Sequence, residues 1–234
     1  MVHHQIVSHD AWIAARKRFL AKEKEFTHLR DQLSQERRQL PWERVEKNYV
    51  FEGEHGKETL ADLFGKHQQL IVYHFMFGPD WEIGCPSCSF WADNFNGIIA
   101  HLNQRDVSMV AVSRGPLEKL QDQARKFGWT FQWVSSAGSD FNFDYNVSFS
   151  PEAIEQDRAL YNYDTQKVEY PEWPGVSAFF KEGDQIFHTY STYSRGIDMF
   201  NTAYHYLDVA PKGRDEDELP FAMSWVKHRI AYES

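Results

Sequence analysis

The chain has 234 residues, a length that suits one domain with added segments. Hydrophobic residues make up 42% and aromatics 16%, enough material for a packed core, which excludes wholesale disorder. The formal net charge of −9 argues against a nucleic-acid partner, which asks for a basic face; the locally basic run Arg30–Arg44 is mixed in sign and reads as a solvated helix face.

Residues 8–40 form the first predicted element, a long helix. Ser8 or Asp10 can cap it, because a side-chain oxygen satisfies an unpaired helical N–H. Trp12, Ala15, Phe19, Phe26, Leu29 and Leu33 recur near helical spacing, and Pro41 ends the pattern. The segment precedes the core domain, so it packs on that core or on a second subunit as a homodimer contact.

Tyr49–Phe51 then reads as a short strand, followed by a turn at Gly53–Gly56 and a helical turn at Thr59–Phe64. Leu70–Met76 is a continuous apolar strand, the mark of burial on both faces. A loop from Gly78 to Gly84 leads into a helix over residues 87–103. Val107–Val112 is the next buried strand. Pro116 opens a helix that runs to Phe127 and stops at Gly128. Phe131–Val134 is a strand, and residues 136–175 are turn-rich and aromatic. Ser177–Phe180 and Gln185–Tyr190 form a hairpin around Glu182-Gly183-Asp184. A final helix spans Arg195–Leu207, and the tail from Pro211 is acidic. The predicted division is therefore a helical extension over 1–45, a core domain over 46–210 and a tail over 211–234.

No segment approaches the roughly 20 apolar residues of a membrane span; Leu70–Phe77 is strand-sized and interrupted by His74. The N-terminus lacks a signal-peptide pattern, which makes the cytoplasm the default expectation. Only two cysteines occur, three apart, in Gly84-Cys85-Pro86-Ser87-Cys88. In a reducing compartment such a pair is redox-active or metal-binding.

The position of the pair favours redox chemistry. It lies where a buried strand gives way to a helix, whose first turn carries unpaired N–H groups and partial positive charge. A sulfur held there is stabilised as thiolate, the form that attacks disulfides. Pro86 suits the helix start, where its missing N–H costs nothing. Cys85 is thus the expected attacking thiol, the more exposed of the two, and Cys88 the buried resolving thiol. A structural zinc site would ask for four ligands, and no second cysteine pair exists. No metal and no cofactor is expected.

Three further side chains attach to this site. Arg114 ends the strand beside the one feeding Cys85, so its guanidinium can approach and stabilise the thiolate. Trp81 can shield the dithiol or simply pack. Glu82 can relay a proton, although its charge opposes a thiolate. His74 reads as a core histidine; His188 and Tyr190 face either a groove or a hydroxyl–imidazole network.

The element order β-α-β-α-β, then hairpin, then helix, implies parallel strands joined by crossover helices. It predicts an α/β, thioredoxin-like three-layer α/β/α sandwich with a mixed central sheet and an N-terminal helical extension. Leu70–Asp93, Asp106–Leu120, Trp133–Phe143 and His188–Gly196 closely resemble a bacterial thioredoxin-like family catalogued as domain of unknown function 899, as do E-R-R-Q-L-P-W and L-D-V-A-P-K-G-R. The resemblance implies a thioredoxin-like fold and dithiol–disulfide oxidoreductase activity on a disulfide-containing protein or a small thiol substrate. Thioredoxins place a cis-proline facing the dithiol; here Gly175 or Val176 takes that place and Pro174 is expected to fall out of register. Val107–Phe127 also resembles peroxiredoxins, which implies a thiol peroxidase as the alternative. Those enzymes carry a threonine three residues before the nucleophile, and Glu82 stands there. A metal-binding or redox-sensing module is the third reading.

Overall fold

The computed structural model describes residues 4–232. The chain divides into two compact units, one ending at Pro41 and one beginning at Trp42. The first is helix α1 (His9–Arg37), capped by the Ser8 hydroxyl, which accepts the Ala11 N–H. Trp12, Phe19, Phe26 and Leu33 recur every seven residues along it. A single helix has no second element in its own unit against which to bury them.

The second unit is built on one mixed eight-stranded sheet. In chain order its elements begin with β1 (Glu43–Arg44), β2 (Val50–Gly53), β3 (Gly56–Thr59), a 3-10 turn at Asp62–Phe64 and β4 (Gln69–His74). Helices α2 (Pro86–Ala92) and α3 (Ile99–Asn103), strand β5 (Val107–Ser113), helix α4 (Leu117–Phe127) and strand β6 (Gln132–Ser135) follow. Then come α5 (Phe141–Asp144), α6 (Pro151–Glu155), the small hairpin β7 (Ala159–Tyr161) and β8 (Asp164–Gln166), the long hairpin β9 (Gly175–Glu182) and β10 (Gln185–Tyr193), and α7 (Thr202–Val209). The strand order is β1-β10-β9-β4-β5-β6-β2-β3. Strands β4, β5 and β6 run parallel, and β9 returns antiparallel on the other side of β4. This is the expected mixed sheet of a thioredoxin-like α/β fold, with β4 at its centre.

Alternation along β4 divides the core in two. Ile71, Tyr73 and, beyond the strand end, Phe75 face one side with Cys88, Trp91, Leu120, Phe127 and Tyr204, so α2, α4 and α7 share that face. Leu70 and Val72 face the other, where Leu63, Phe64, Phe141, Tyr145 and Phe179 close over them. The second layer is thus made of short turns rather than long helices.

Two predicted helices are broken. The one expected over 87–103 stops at Ala92, because the Asn94 amide donates to the Phe90 and Trp91 carbonyls and competes with the helical ladder. Asn96 meanwhile bonds Gly128 O and Thr130 N, and α3 restarts at Ile99. The one expected over 195–207 is a 3-10 stretch (Ser194–Phe200) followed by α7, whose start is capped by Asn201. The aromatic stretch 136–175 is ordered: Val147, Phe149, Ala159, Tyr161, Val168 and Tyr193 form a third cluster.

Phe141 is fully buried and meets the rings of Tyr49, Phe51, His74 and Tyr145 at centroid distances of 5.1, 5.0, 5.6 and 4.6 Å. Phe141→Ala should cost about 3–5 kcal/mol of stability, read from urea unfolding.

Candidate functional site

The site grows from the carboxyl end of β4. Beyond Phe75, whose N–H still bonds the Val112 carbonyl, the chain leaves the ladder, but the Met76 backbone binds both cysteines. Its carbonyl accepts the Cys85 N–H at 3.0 Å, and its N–H donates to the Cys88 sulfur at 3.4 Å. Cys85 is the N-cap of α2 and Pro86 occupies the first turn, as the sequence predicted from the strand-to-helix placement. The Ser89 N–H and hydroxyl both donate to the Cys85 carbonyl at 3.0 Å. Gly84 is needed for close approach: a Cβ there would lie 2.6 Å from the Phe75 ring and 3.0 Å from that of Phe77.

The two free thiols sit in different surroundings. Cys85 is half-buried and Cys88 is 2% exposed. The Cys88 thiol, acting as donor, is the leading influence on Cys85; the amides of Cys88 and Ser87 add to it at the helix entrance, and burial opposes them. The net result lowers the Cys85 pKa to about 6. Burial first, and then the neighbouring Cys85 sulfur, push the Cys88 thiol well up. One thiolate beside one protonated thiol is the state these environments favour near neutral pH.

Residues outside the sequence expectation hold this arrangement. Gln123 on α4 accepts the Gly84 N–H at 2.7 Å, and its amide reaches Ser89 Oγ at 3.4 Å. His228, far along the tail, meets the same Ser89 hydroxyl at 3.2 Å. Tyr73 is fully buried on β4 and faces Cys88, whose sulfur feels its hydroxyl. No short-range pattern marks these residues; only the packing of β4, α2 and α4 on one face joins them.

The four accessory residues are placed as follows. Pro86 opens α2. Trp81 packs against the aromatic core, and its carbonyl accepts from Lys119 at 3.0 Å. Glu82 points into solvent and pairs with Lys119 at 2.8 Å, away from the sulfurs. Arg114, expected as a thiolate partner, meets a carboxylate. Its guanidinium bonds the buried Glu172 at 2.9 Å and lies 4.4 Å from the centre of the Phe143 ring. It is not among the leading influences on the Cys85 thiol. Glu172 also accepts from Ser148 at 2.6 Å, so Arg114 ties the 136–175 segment to the sheet edge. Pro174, expected to fall out of register, lines a cavity together with Cys88, and among the described residues every peptide bond is trans.

His74 is a buried core residue with Nε2 2.8 Å from Ser177 Oγ, and burial lowers its pKa to about 3. Ser177 continues to Ser191, and Ser191 to His188, at 2.7 Å each, which is the hydroxyl–imidazole network. A cavity of about 740 Å³ between α4, β3 and β6 is lined by Glu54, His55, Glu58 and Arg125 among others and by neither cysteine. Among the described residues, no three His, Cys, Asp or Glu side chains gather as a metal-binding group, and no helix is long and apolar enough to cross a membrane.

Sheet order and dithiol placement define a thioredoxin-like protein with its thiol pair at a helix entrance. The chain belongs to the family described as bacterial protein of unknown function (DUF899), which matches residues 1–232. No curated protein matches it. Among solved structures, a mutant of Xanthomonas campestris peroxiredoxin Q is 15% identical, with a TM-score of 0.49, over 71% of this chain and 95% of that one. Peroxidoxin BcpB from Mycobacterium tuberculosis is 12% identical, TM-score 0.49, over 68% and 92%. A mutant of Xylella fastidiosa PrxQ is 14% identical, TM-score 0.47, over 70% and 95%. Likenesses this distant assign no residue a role.

Two outcomes follow. Alkylation of Cys85 should titrate with a midpoint near pH 6, and Cys88→Ala, which removes the leading donor, should move that midpoint upward, read by alkylation rate and intact mass. Arg114→Ala should leave the midpoint in place. It should instead cost about 3 kcal/mol of stability in urea at pH 8, because the Glu172 carboxylate is left buried with only the Ser148 hydroxyl.

Burial raises the Glu172 pKa to about 7 against the pull of Ser148 and Arg114. A carboxyl raised in the fold adds stability that is full below its unfolded pKa and is lost as pH rises through about 7. Glu172→Gln should abolish that loss between pH 5 and 8, measured by urea unfolding at each pH.

Proposed function

We propose that this protein is a dithiol–disulfide oxidoreductase in which Cys85 attacks and Cys88 resolves. The observation that carries the reading is the asymmetry of the pair. Cys85 is half-buried and held near pKa 6 by its neighbour and the helix entrance, while the fully buried Cys88 keeps its proton.

The Cys85 thiolate attacks one sulfur of a substrate disulfide, that S–S bond breaks, and the departing half leaves as a thiolate. Cys88 gives up its proton and attacks the Cys85 sulfur. The Cys85–Cys88 disulfide forms and the second half of the substrate departs, so the protein is oxidised by two electrons and the substrate becomes two thiols. Met76 supports the second attack, since its N–H donates to the Cys88 sulfur and favours the anion.

The peroxidase alternative lacks its threonine here: Glu82 stands in that place and turns to Lys119.

A stabilised thiolate favours the reduced form and makes the disulfide a better oxidant. With Cys85 near 6, the pair lies between thioredoxin (~7) and the strongly oxidising DsbA (~3.5). Its reduction potential should then fall between about −270 and −120 mV in thiol buffers, with alkylation and intact mass as the readout. Cys85→Ser should abolish turnover, and Cys88→Ser should accumulate a mixed disulfide on Cys85. Full turnover in Cys85→Ser protein would end this reading.

A further inference from the structure

We infer that the cavity of about 310 Å³ beside Cys88 is a binding site for the apolar body of a small uncharged organic disulfide that also carries one hydrogen-bond acceptor. This rests on the oxidoreductase reading and names its substrate class.

The walls set the chemistry. Met76, Trp91, Tyr161, Trp173, Ile197 and Met223 surround the space, and Cys88 and Ser87 form part of its lining. Its volume is that of about ten water molecules, room for a single aromatic ring with a short substituent. A charged or peptide ligand would lose its hydration against these walls without replacement. The charges on the edge offer no counter-ion, because Arg195 pairs with Asp198 at 2.9 Å and Asp198 with Arg214 at 2.8 Å.

The second observation is an unsatisfied donor. Tyr73 lines the cavity and is fully buried. Its hydroxyl lies beside the Cys88 sulfur, and among the described residues it meets no partner at hydrogen-bond geometry. A buried hydroxyl left so is costly, and an acceptor atom on a ligand in this cavity would satisfy it. The neighbouring Tyr161 hydroxyl differs: it donates to the Pro174 carbonyl at 2.8 Å and accepts the Ser194 N–H at 2.9 Å. Tyr73 is therefore the group on the wall that asks for a ligand, and the Trp173-Pro174 and Ala222-Met223 pairs close the space around it.

The placement suits the sequence of bond changes. After Cys85 has attacked, the retained half of the substrate is joined to Cys85 with its apolar body in the cavity next to Cys88. Attack by Cys88 on the Cys85 sulfur then closes the protein disulfide and releases that half as a thiol, which leaves along the same apolar walls.

Two measurements test this. First, the redox-inert probe acetophenone, one ring with a carbonyl acceptor, is titrated against Cys85→Ser protein with tryptophan fluorescence as readout, since Trp91 and Trp173 line the cavity. The expected result is saturable quenching that weakens several-fold in Tyr73→Phe and at least tenfold in Met223→Trp. Ala222→Trp serves as a second cavity-filling variant if Met223→Trp does not fold. Second, stopped-flow oxidation of the reduced protein is compared for neutral dipyridyl disulfide and for charged oxidised glutathione. Filling the cavity should lower the first rate at least tenfold relative to the second.

No saturable acetophenone binding, or a rate ratio unmoved by Met223→Trp and Ala222→Trp, overturns the cavity assignment even if both disulfides are reduced. Saturable binding with neither disulfide reduced keeps the cavity as a binding site, and removes the oxidoreductase reading together with the substrate class.

Discussion

The backbone of Met76 is the constraint on which the site depends. Two residues past the end of the central strand, it uses its carbonyl to fix the N–H of Cys85 and its N–H to fix the sulfur of Cys88. The strand behind it cannot shift, because Gln69–His74 is bonded on both sides, to β5 and to β9. A buried central strand is thereby converted into a fixed position for two sulfur atoms. The contrast between them then follows from depth and from each other: the sulfur at the helix entrance collects donors, the Cys88 thiol first among them, and the one a turn further in is buried.

The aromatic richness of the chain serves the same end. Phe75, Trp129 and Trp133 lie against one another on the dithiol face, with Phe75 and Trp133 centroids 4.6 Å apart. Large flat side chains fill the space under α2 and α4 with few rotatable bonds, and a stiff bed keeps the motif in register. On the opposite face the layer is thinner, and Phe141, Tyr145 and Phe179 cover β4 where longer helices would otherwise do so. The aromatic segment 136–175 is a third cluster, latched by the Arg114–Glu172 pair, and it delivers Tyr161, Trp173 and Pro174 to the space beside Cys88.

That latch explains why Arg114 reads ambiguously from sequence. Its place at the carboxyl end of β5 puts it on the same sheet edge as the end of β4, which makes it a fair candidate for the thiolate. Glu172, 58 residues later, takes it instead. Glu82 is captured in the same manner by Lys119. Which opposite charge a side chain meets is decided by loops whose path no local pattern records.

The sequence by itself determined the alternation of buried strands and helices, the position of the thiol pair at a strand-to-helix junction, and Pro86 at the start of the helix. These are local matters of period, φ restriction and unpaired N–H groups, and each is written in a few consecutive residues. Family membership was legible for the same reason, in contiguous motifs along nearly the whole chain. The tertiary structure alone decided the partners of Arg114 and Glu82, the contributions of Tyr73, Gln123 and His228 at the motif, and the breaks that Asn94 and Asn201 impose on predicted helices. It also decided that Pro174 meets the dithiol cavity. Those contacts join residues tens of positions apart, and their energies exist only after the sheet has brought the segments to one face.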